Sequence, residues 1–386
     1  MPKLTVKPVQ SRREKKQFLE LPWAINRSDP NWVPPLRRNQ EELVGYRRHP
    51  FYDDAEGQTF LAFHDGRPVG RVAAIVNHAH NRFHKENLGF FGFFECVDDQ
   101  EVAAGLFAAV REWLGANGIT AVRGPMNPSM NYECGLLIEG FDTPPFFMMT
   151  HNLPYYQRLI EGCGFQKVED MFAFLAKREM VQTLDKKLAF IFEEVNKRFE
   201  IRTRHMDPAN FARDVRIFLD IYNQALVGTW GFVPLSEAEI DHMAASMKHL
   251  IVPEMTAIAE IEGKPVGAQF GLLDYNPRIK QIDGRLFPFG FIRLLWNKRA
   301  IKRVRLVSTN VVPEYQMWGL AIVVGARIFN DALAWGIEEA EFSWVLESNR
   351  LSYGTLKRAG TRISKRYRLF DYAPSQATLT TSDQSG

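Results

Sequence analysis

The chain nearly repeats itself, and the repeat limits what it can fold into. Residues 62–70 read Ala62-Phe63-His64-Asp65-Gly66-Arg67-Pro68-Val69-Gly70, and residues 259–267 read Ala259-Glu260-Ile261-Glu262-Gly263-Lys264-Pro265-Val266-Gly267. An acid-Gly-base-Pro-Val-Gly string between apolar runs marks a tight β-turn, because glycine takes positive φ freely and proline fixes its own. A second parallel follows each copy at nearly the same offset: Leu159 to Gly164 (Leu-Ile-Glu-Gly-Cys-Gly) and Leu356 to Gly360 (Leu-Lys-Arg-Ala-Gly). A duplicated unit of this length predicts two similar domains, 1–180 and 181–372, with a Ser/Thr-rich tail, 373–386, expected to be disordered. The differences between the copies should then say which one does chemistry.

The 386 residues are enough for two or three domains with real cores. At 46% hydrophobic and 24% charged residues the composition is that of a globular protein. A formal net charge of +3 is too small to argue for nucleic acid, but its distribution is uneven. Residues 278–305 hold nine basic side chains and one acid, Asp283. Cys96, Cys134 and Cys163 are scattered and odd in number, which supports neither a disulfide framework nor a thiolate metal site. The first residues, Met-Pro-Lys-Leu-Thr-Val-Lys-Pro, lack the apolar stretch of a signal peptide, and no uncharged apolar run has the length of a membrane span. A reducing cytoplasm is the expected location.

Local patterns give each copy the same α+β plan. The first copy reads as a strand over 4–8 and a helix from the capping box Ser11-Arg-Arg-Glu14 to about Ala24. A Pro-rich, aromatic stretch at 28–57 reads as an ordered loop. A hairpin at 60–63 and 69–76, a strand at 88–96 and an amphipathic helix at 101–117 follow. A strand at 121–124, a helix near 154–162 and a strand at 167–174 end the copy. The second copy reads as helices ending near Arg198 and at 213–225, a strand at 200–204, and a helix capped by Ser236-Glu-Ala-Glu239. A hairpin at 256–261 and 266–273 follows, then strand 304–311, helix 320–337, strand 340–346, helix 351–358 and strand 366–372. Each copy is therefore predicted to be a mixed central sheet flanked by helices.

Chemistry is concentrated at 312–321, Val312-Pro313-Glu314-Tyr315-Gln316-Met317-Trp318-Gly319-Leu320-Ala321, between a predicted strand and an amphipathic helix. Glycine there lets backbone approach a bulky anion, and the unpaired N–H groups of the first helical turn face it. The string Gln316-x-x-Gly319-x-Ala321, preceded by Val-x-Pro, resembles the acetyl-CoA pyrophosphate loop of the GNAT N-acyltransferases. Asn349, followed by Ser352, Leu356 and Gly360, resembles the last helix of that family, and the layout of both copies matches its strand order. The resemblance implies a tandem GNAT in which acyl-CoA lies along Val311, Val312, Gln316, Met317, Trp318, Gly319, Leu320 and Ala321, near Asn349. It also implies that the backbone amides of Val311 and Val312 receive the thioester carbonyl oxygen. The first copy lacks the loop: Cys96-Val-Asp-Asp-Gln-Glu101 puts acids at the helix start, where they repel a pyrophosphate. Acyl-CoA is therefore expected only in the second half, with the first shaping the acceptor site.

Transfer of an acyl group to an amine needs a base, and Glu347, ending the apolar strand 342–346, is the first candidate. A plain helix-capping role competes with it. Glu95, at the end of the Phe-rich strand 88–96, is the second, against a salt-bridged strand end. The resemblance implies a tyrosine acid on the last helix, but that position is Leu356 here, leaving Tyr353 as the nearest substitute. Asn127, Asn131, Tyr132, Glu133, His151 and Tyr156 lie in polar loops between apolar strands and are read as acceptor-site lining. His78, His80 and His84 have no fourth ligand nearby and read as a solvated turn, so no metal is expected.

The segment 285–303 interleaves Phe287, Phe289, Phe291, Ile292 and Trp296 with arginine and lysine. That is the composition of an anchor on an anionic membrane surface, and a helical lid packed on the second domain is the alternative. The aromatics are mostly Phe in an apolar run, with no RNA-binding motif, so nucleic acid is not an expected partner. Lid and layout together resemble tandem GNAT-like proteins that include bacterial ceramide synthases, which acylate a sphingoid base. The expected protein is a peripheral, inner-face N-acyltransferase acting from acyl-CoA on a primary amine of a hydrophobic acceptor. A soluble small-molecule N-acetyltransferase and a silent acyl-CoA-binding protein are the alternatives.

Overall fold

Thirteen strands form one continuous sheet in the computed structural model, which describes residues 3–182 and 186–373. Beyond Ala373 the tail expected to be disordered lies outside the described residues. The strands are β1 Leu4–Pro8, β2 Ala55–His64, β3 Arg67–Asn77, β4 Leu88–Cys96, β5 Ala121–Gly124, β6 Leu136–Glu139 and β7 Gln166–Lys177. The second half supplies β8 Arg202–Arg204, β9 Thr256–Ile261, β10 Lys264–Leu273, β11 Arg303–Val311, β12 Glu339–Leu346 and β13 Arg362–Tyr372. The helices that matter for the site are α1 Arg12–Ile25, α2 Gln100–Ala116, α3 Tyr156–Gly162, α4 Lys186–Phe199 and α5 Phe211–Ala225. They continue with α6 Glu237–Met247, α7 Gly290–Leu295, α8 Leu320–Trp335 and α9 Arg350–Arg358.

The duplicated strings make the turns that their residues dictate. Asp65 and Gly66 join β2 to β3, and Glu262 and Gly263 join β9 to β10; all four have positive φ, which is the type I′ hairpin turn. Both hairpins even shift register at matching places, Ala62/Phe63 and Ala259/Glu260. In each half four antiparallel strands lead to a parallel fifth, β4 beside β5 and β11 beside β12.

The halves then trade their last strands. The sheet order is β1-β2-β3-β4-β5-β13-β7-β12-β11-β10-β9-β8, with β6 also on the β5 side of β13. Strand β7 of the first half pairs with β12 of the second, β13 of the second pairs with β5 of the first, and β7 and β13 lie antiparallel at the middle. Arg368 and the buried Asp170 bridge that central pair with contacts of 2.8 and 3.1 Å. The two expected domains therefore share one sheet, and the first half is placed against the strands of the second.

The stretch 28–57, read as loop, contains a helix at Arg37–Leu43 and a 3₁₀ turn at Pro50–Asp53. No helix among the described residues is long and apolar enough to cross a membrane.

Candidate active site

In the second half the parallel pair comes apart. Strands β11 and β12 are paired only from Arg303–Leu306 against Glu339–Phe342, and beyond that they diverge into a wedge. A cavity of about 770 Å³ runs through this wedge and joins the two faces of the sheet. That volume is in the range of sites for whole small-molecule ligands, roughly 300–1,000 Å³.

On one face the cavity reaches the loop before α8. Gly319 has φ +81, and a Cβ there would come within 2.7 Å of Ile191 Cγ2 on α4, so only glycine fits. No side chain caps α8, and its first-turn amides lack intrahelical acceptors. Gln316 does not face solvent: its amide donates to the carbonyl oxygens of Val311 (3.0 Å) and Ala225 (3.1 Å), pinning the loop to β11 and the end of α5. Gln316, Met317, Trp318, Gly319 and Ala321 all line the cavity, whereas Leu320 turns into the core. Arg198 lies 3.8 Å from the Trp318 ring centroid and sets a cation beside the loop. Asn349 caps α9 by accepting from the Ser352 amide at 3.1 Å, and both residues line the same cavity.

Of the two backbone amides expected at the carbonyl oxygen, Val312 is already used: its N–H donates to Val266 O at 2.9 Å. Strand alternation turns the Val311 amide the other way, toward the wedge. Only Val311 can therefore serve.

On the opposite face the cavity opens into an apolar chamber between α5 and α6. Phe218 and Tyr222 of α5, Met243 and Met247 of α6, and Met130, Met148 and Met206 form its walls. Methionine fills such space adaptably, which suits flexible apolar ligands. Two predicted acceptor residues belong to this chamber. Asn131 accepts from Tyr222 O–H (3.0 Å) and donates to Val233 O (2.9 Å), and Tyr132 O–H donates to Glu239 at 2.8 Å. Through them a loop of the first half closes the second half's chamber.

The first half has no such space. Its wedge between β4 and β5 is filled by its own chain: a Cβ on Gly92 would lie 1.7 Å from Met126 O, and Asn127 Oδ1 accepts from the Phe93 amide at 2.6 Å. Asn127 is thus a plug residue and does not line the cavity, contrary to its expected acceptor role. Helix α2 is capped by Asp99, which accepts from the Glu101 amide, so an acidic side chain occupies the position an anion would take.

Other expected site residues also lie elsewhere. Glu347 is half-exposed and paired with Lys167 at 2.6 Å, outside the cavity, because the end of β12 turns its side chain toward β7. Glu95 and Tyr156 bond each other at 2.7 Å in the first half, with Asn26 and Arg71 alongside; burial raises the Glu95 pKa there, and none of these groups touches the cavity. Tyr353 packs edge-on against Phe172 and Phe174. His151 is held by Asp29 at 2.7 Å. Glu133 sits near Arg305, its carboxyl pKa raised by burial and lowered in part by that cation.

The sequence reading passed over the polar group at the point where the wedge opens. Arg305 is buried and lines the cavity; it donates to Ser343 Oγ (2.9 Å), Ser343 O (3.1 Å), Phe147 O (3.1 Å) and Met148 O (3.0 Å). Ser343 Oγ in turn donates to the buried Glu341 at 2.8 Å. Both strands carry several other polar residues, so nothing in the sequence singles these three out.

No protein-family model matches the chain. It is 34% identical over 372 residues to protein YghO of Escherichia coli strain K12, covering 95% of this chain and 94% of that protein. It is 33% identical over 385 residues to the bacterial ceramide synthase of Caulobacter vibrioides, covering 96% and 97%. Among solved structures it is similar to a tandem GNAT protein from the clavulanic acid biosynthesis pathway, with a TM-score of 0.55 at 11% identity over 96% of this chain and 98% of that one. A GCN5-related N-acetyltransferase from Sphaerobacter thermophilus gives a TM-score of 0.51 at 14% identity, with 96% and 95% covered.

Proposed function

The chain belongs to the N-acyltransferase family that includes bacterial ceramide synthase, built on the tandem GNAT fold, and from that premise we propose that it moves an acyl group from acyl-CoA to a primary amine of a lipid-like acceptor. The observation that carries the proposal is the single cavity joining an open helix N-terminus on one face to a methionine-rich chamber on the other. The CoA diphosphate is assigned to the amides after Gly319, where helix partial charge and unpaired N–H groups favour an anion. The thioester lies in the wedge by Val311, and a long hydrocarbon chain fills the chamber between α5 and α6. The plugged wedge of the first half supports a purely architectural role for it, shaping the chamber through Asn131 and Tyr132.

Action at a membrane surface is part of the same reading. Phe287, Phe289 and Trp296 are 69%, 73% and 73% exposed, on a segment that also carries Arg285, Arg293 and Arg299. Large apolar side chains set among cations suit the headgroup boundary of an anionic bilayer. The segment is tied to the chamber wall where Lys298 bonds His249 O, close to the lining residues Met247 and Ile251. A lipid acceptor leaving the bilayer there would have a short path to the wedge.

Release of free thiol from palmitoyl-CoA tests the reading, with hexadecylamine in anionic vesicles compared against soluble amines and acetyl-CoA. Turnover that requires the long-chain amine supports it. Turnover with acetyl-CoA and soluble amines alone would assign a small-molecule acetyltransferase instead.

A further inference from the structure

A buried carboxyl group lies directly behind the wedge. Glu341 on β12 is fully buried; its Oε1 accepts from Ser343 Oγ, and its Oε2 has no partner among the described residues. Charged and titratable groups face it from three neighbouring strands. Arg305 faces it from β11, Lys365 and Tyr367 from β13, and Asp274 from the end of β10, while β7 presents only Leu175. Neither cation closes on it. Arg305 is committed to Ser343 and to the Phe147 and Met148 carbonyls, and the Lys365 ammonium to the carbonyls of Gly140 and Thr143. Tyr367 O–H is likewise buried without a partner among the described residues.

Ser343 connects this acid to the cavity. It lines the space where β11 and β12 part. Its hydroxyl accepts from Arg305 Nε and donates to Glu341, with Met149 Sδ 3.3 Å away; a thioether donates nothing, so one of the two acceptor lone pairs still has no donor.

We propose that Ser343 and Glu341 form the proton relay for the acceptor amine: Ser343 Oγ takes a proton from the bound ammonium group while passing its own to Glu341. This rests on the N-acyltransferase reading above. The freed nitrogen lone pair then forms the C–N bond at the thioester carbonyl. As the tetrahedral adduct collapses, the C–S bond breaks with its electron pair on sulfur, and the second nitrogen proton goes to that sulfur to give free CoA thiol. Glu341 returns the first proton to solvent, so each turnover releases one. Arg305 holds the Ser343 hydroxyl in the orientation that points its proton at Glu341.

Burial pushes the Glu341 carboxyl up to about 7, so it is ionised and able to accept only above that pH. The rate should therefore rise through about pH 7 and then level.

The test is thiol release from palmitoyl-CoA with hexadecylamine as a function of pH, for wild type, Glu341→Gln and Ser343→Ala. Both variants are expected to lose the inflection near pH 7 and about 100-fold in kcat, with KM for palmitoyl-CoA unchanged. A purely structural role would lower the whole profile without moving its inflection. An inflection retained in the variants, or a loss under about threefold, would overturn the relay while leaving the acyltransferase reading in place. Ser343→Ala removes no charge and decides the matter if Glu341→Gln fails to fold. A wild type that releases no thiol with any acyl-CoA and amine pair overturns the acyltransferase reading and the relay with it.

Discussion

At single residues, the strongest constraint is Gly319. Its backbone is left-handed, and a Cβ there would fall 2.7 Å from Ile191 Cγ2. Gly319→Glu would add a clash and a negative charge where the diphosphate is assigned; CoA affinity by isothermal titration is expected to fall at least tenfold. Glu341 carries the other residue-scale prediction. Its folded pKa, about 7, lies above the ordinary carboxyl value of 4.5, so the folded chain holds a proton that the unfolded chain has lost between those values. The contribution is complete below about 4.5 and is lost as pH rises through about 7, on the order of 3 kcal/mol in total. Thermal melts should accordingly show Glu341→Gln gaining on wild type between acidic and mildly alkaline pH; a constant gap would contradict that burial effect. The contrast between Gly319 and Glu341 shows what single residues reveal before folding. A Gln-x-x-Gly-x-Ala string announces its backbone geometry, because glycine has few other uses there. A carboxylate announces nothing about which strand face it will occupy, so the sequence points to Glu347 at the strand end and not to Glu341 within it. Glu347 in fact pairs with Lys167 of a strand contributed by the other half.

Whole elements were largely legible because local chemistry dictates them. The hairpin turns at Asp65-Gly66 and Glu262-Gly263, the capping boxes at Ser11 and Ser236, and the Phe-rich β4 formed where their residues place them. The filling of the first wedge was not legible, since Met126 and Asn127 sit in a polar, Pro-containing loop whose destination depends on a gap formed elsewhere. That plug closes the first half's wedge, whereas the second half's stays open. Gly92→Ala would force a methyl group against Met126 O, and an overpacking loss of about 2–3 kcal/mol is expected by chemical denaturation. Wild-type stability in that variant would mean that the plug is loosely held.

For the molecule as a whole, the duplication was legible but the exchange of final strands was not. A periodic strand pattern fixes which residues face the core, yet nothing in the residues of β7 or β13 says which half's strands they will pair with. The exchange means that neither half has a complete sheet of its own, so fragments 1–180 and 181–373 expressed separately should be unfolded by circular dichroism. Mixed, they should recover the intact spectrum; independent folding of either would contradict the shared sheet. It also explains how a first-half loop comes to line a second-half cavity, through Asn131, Tyr132 and Met148. The most direct measurement is a crystal structure with a nonhydrolysable palmitoyl-CoA analogue. The diphosphate is predicted at the amides following Gly319, the carbonyl oxygen near the Val311 amide, and the alkyl chain between α5 and α6. Nucleotide bound at the β4–β5 wedge, or a chain left on the protein surface, would contradict the assignment of the second half as the acyl-transfer site.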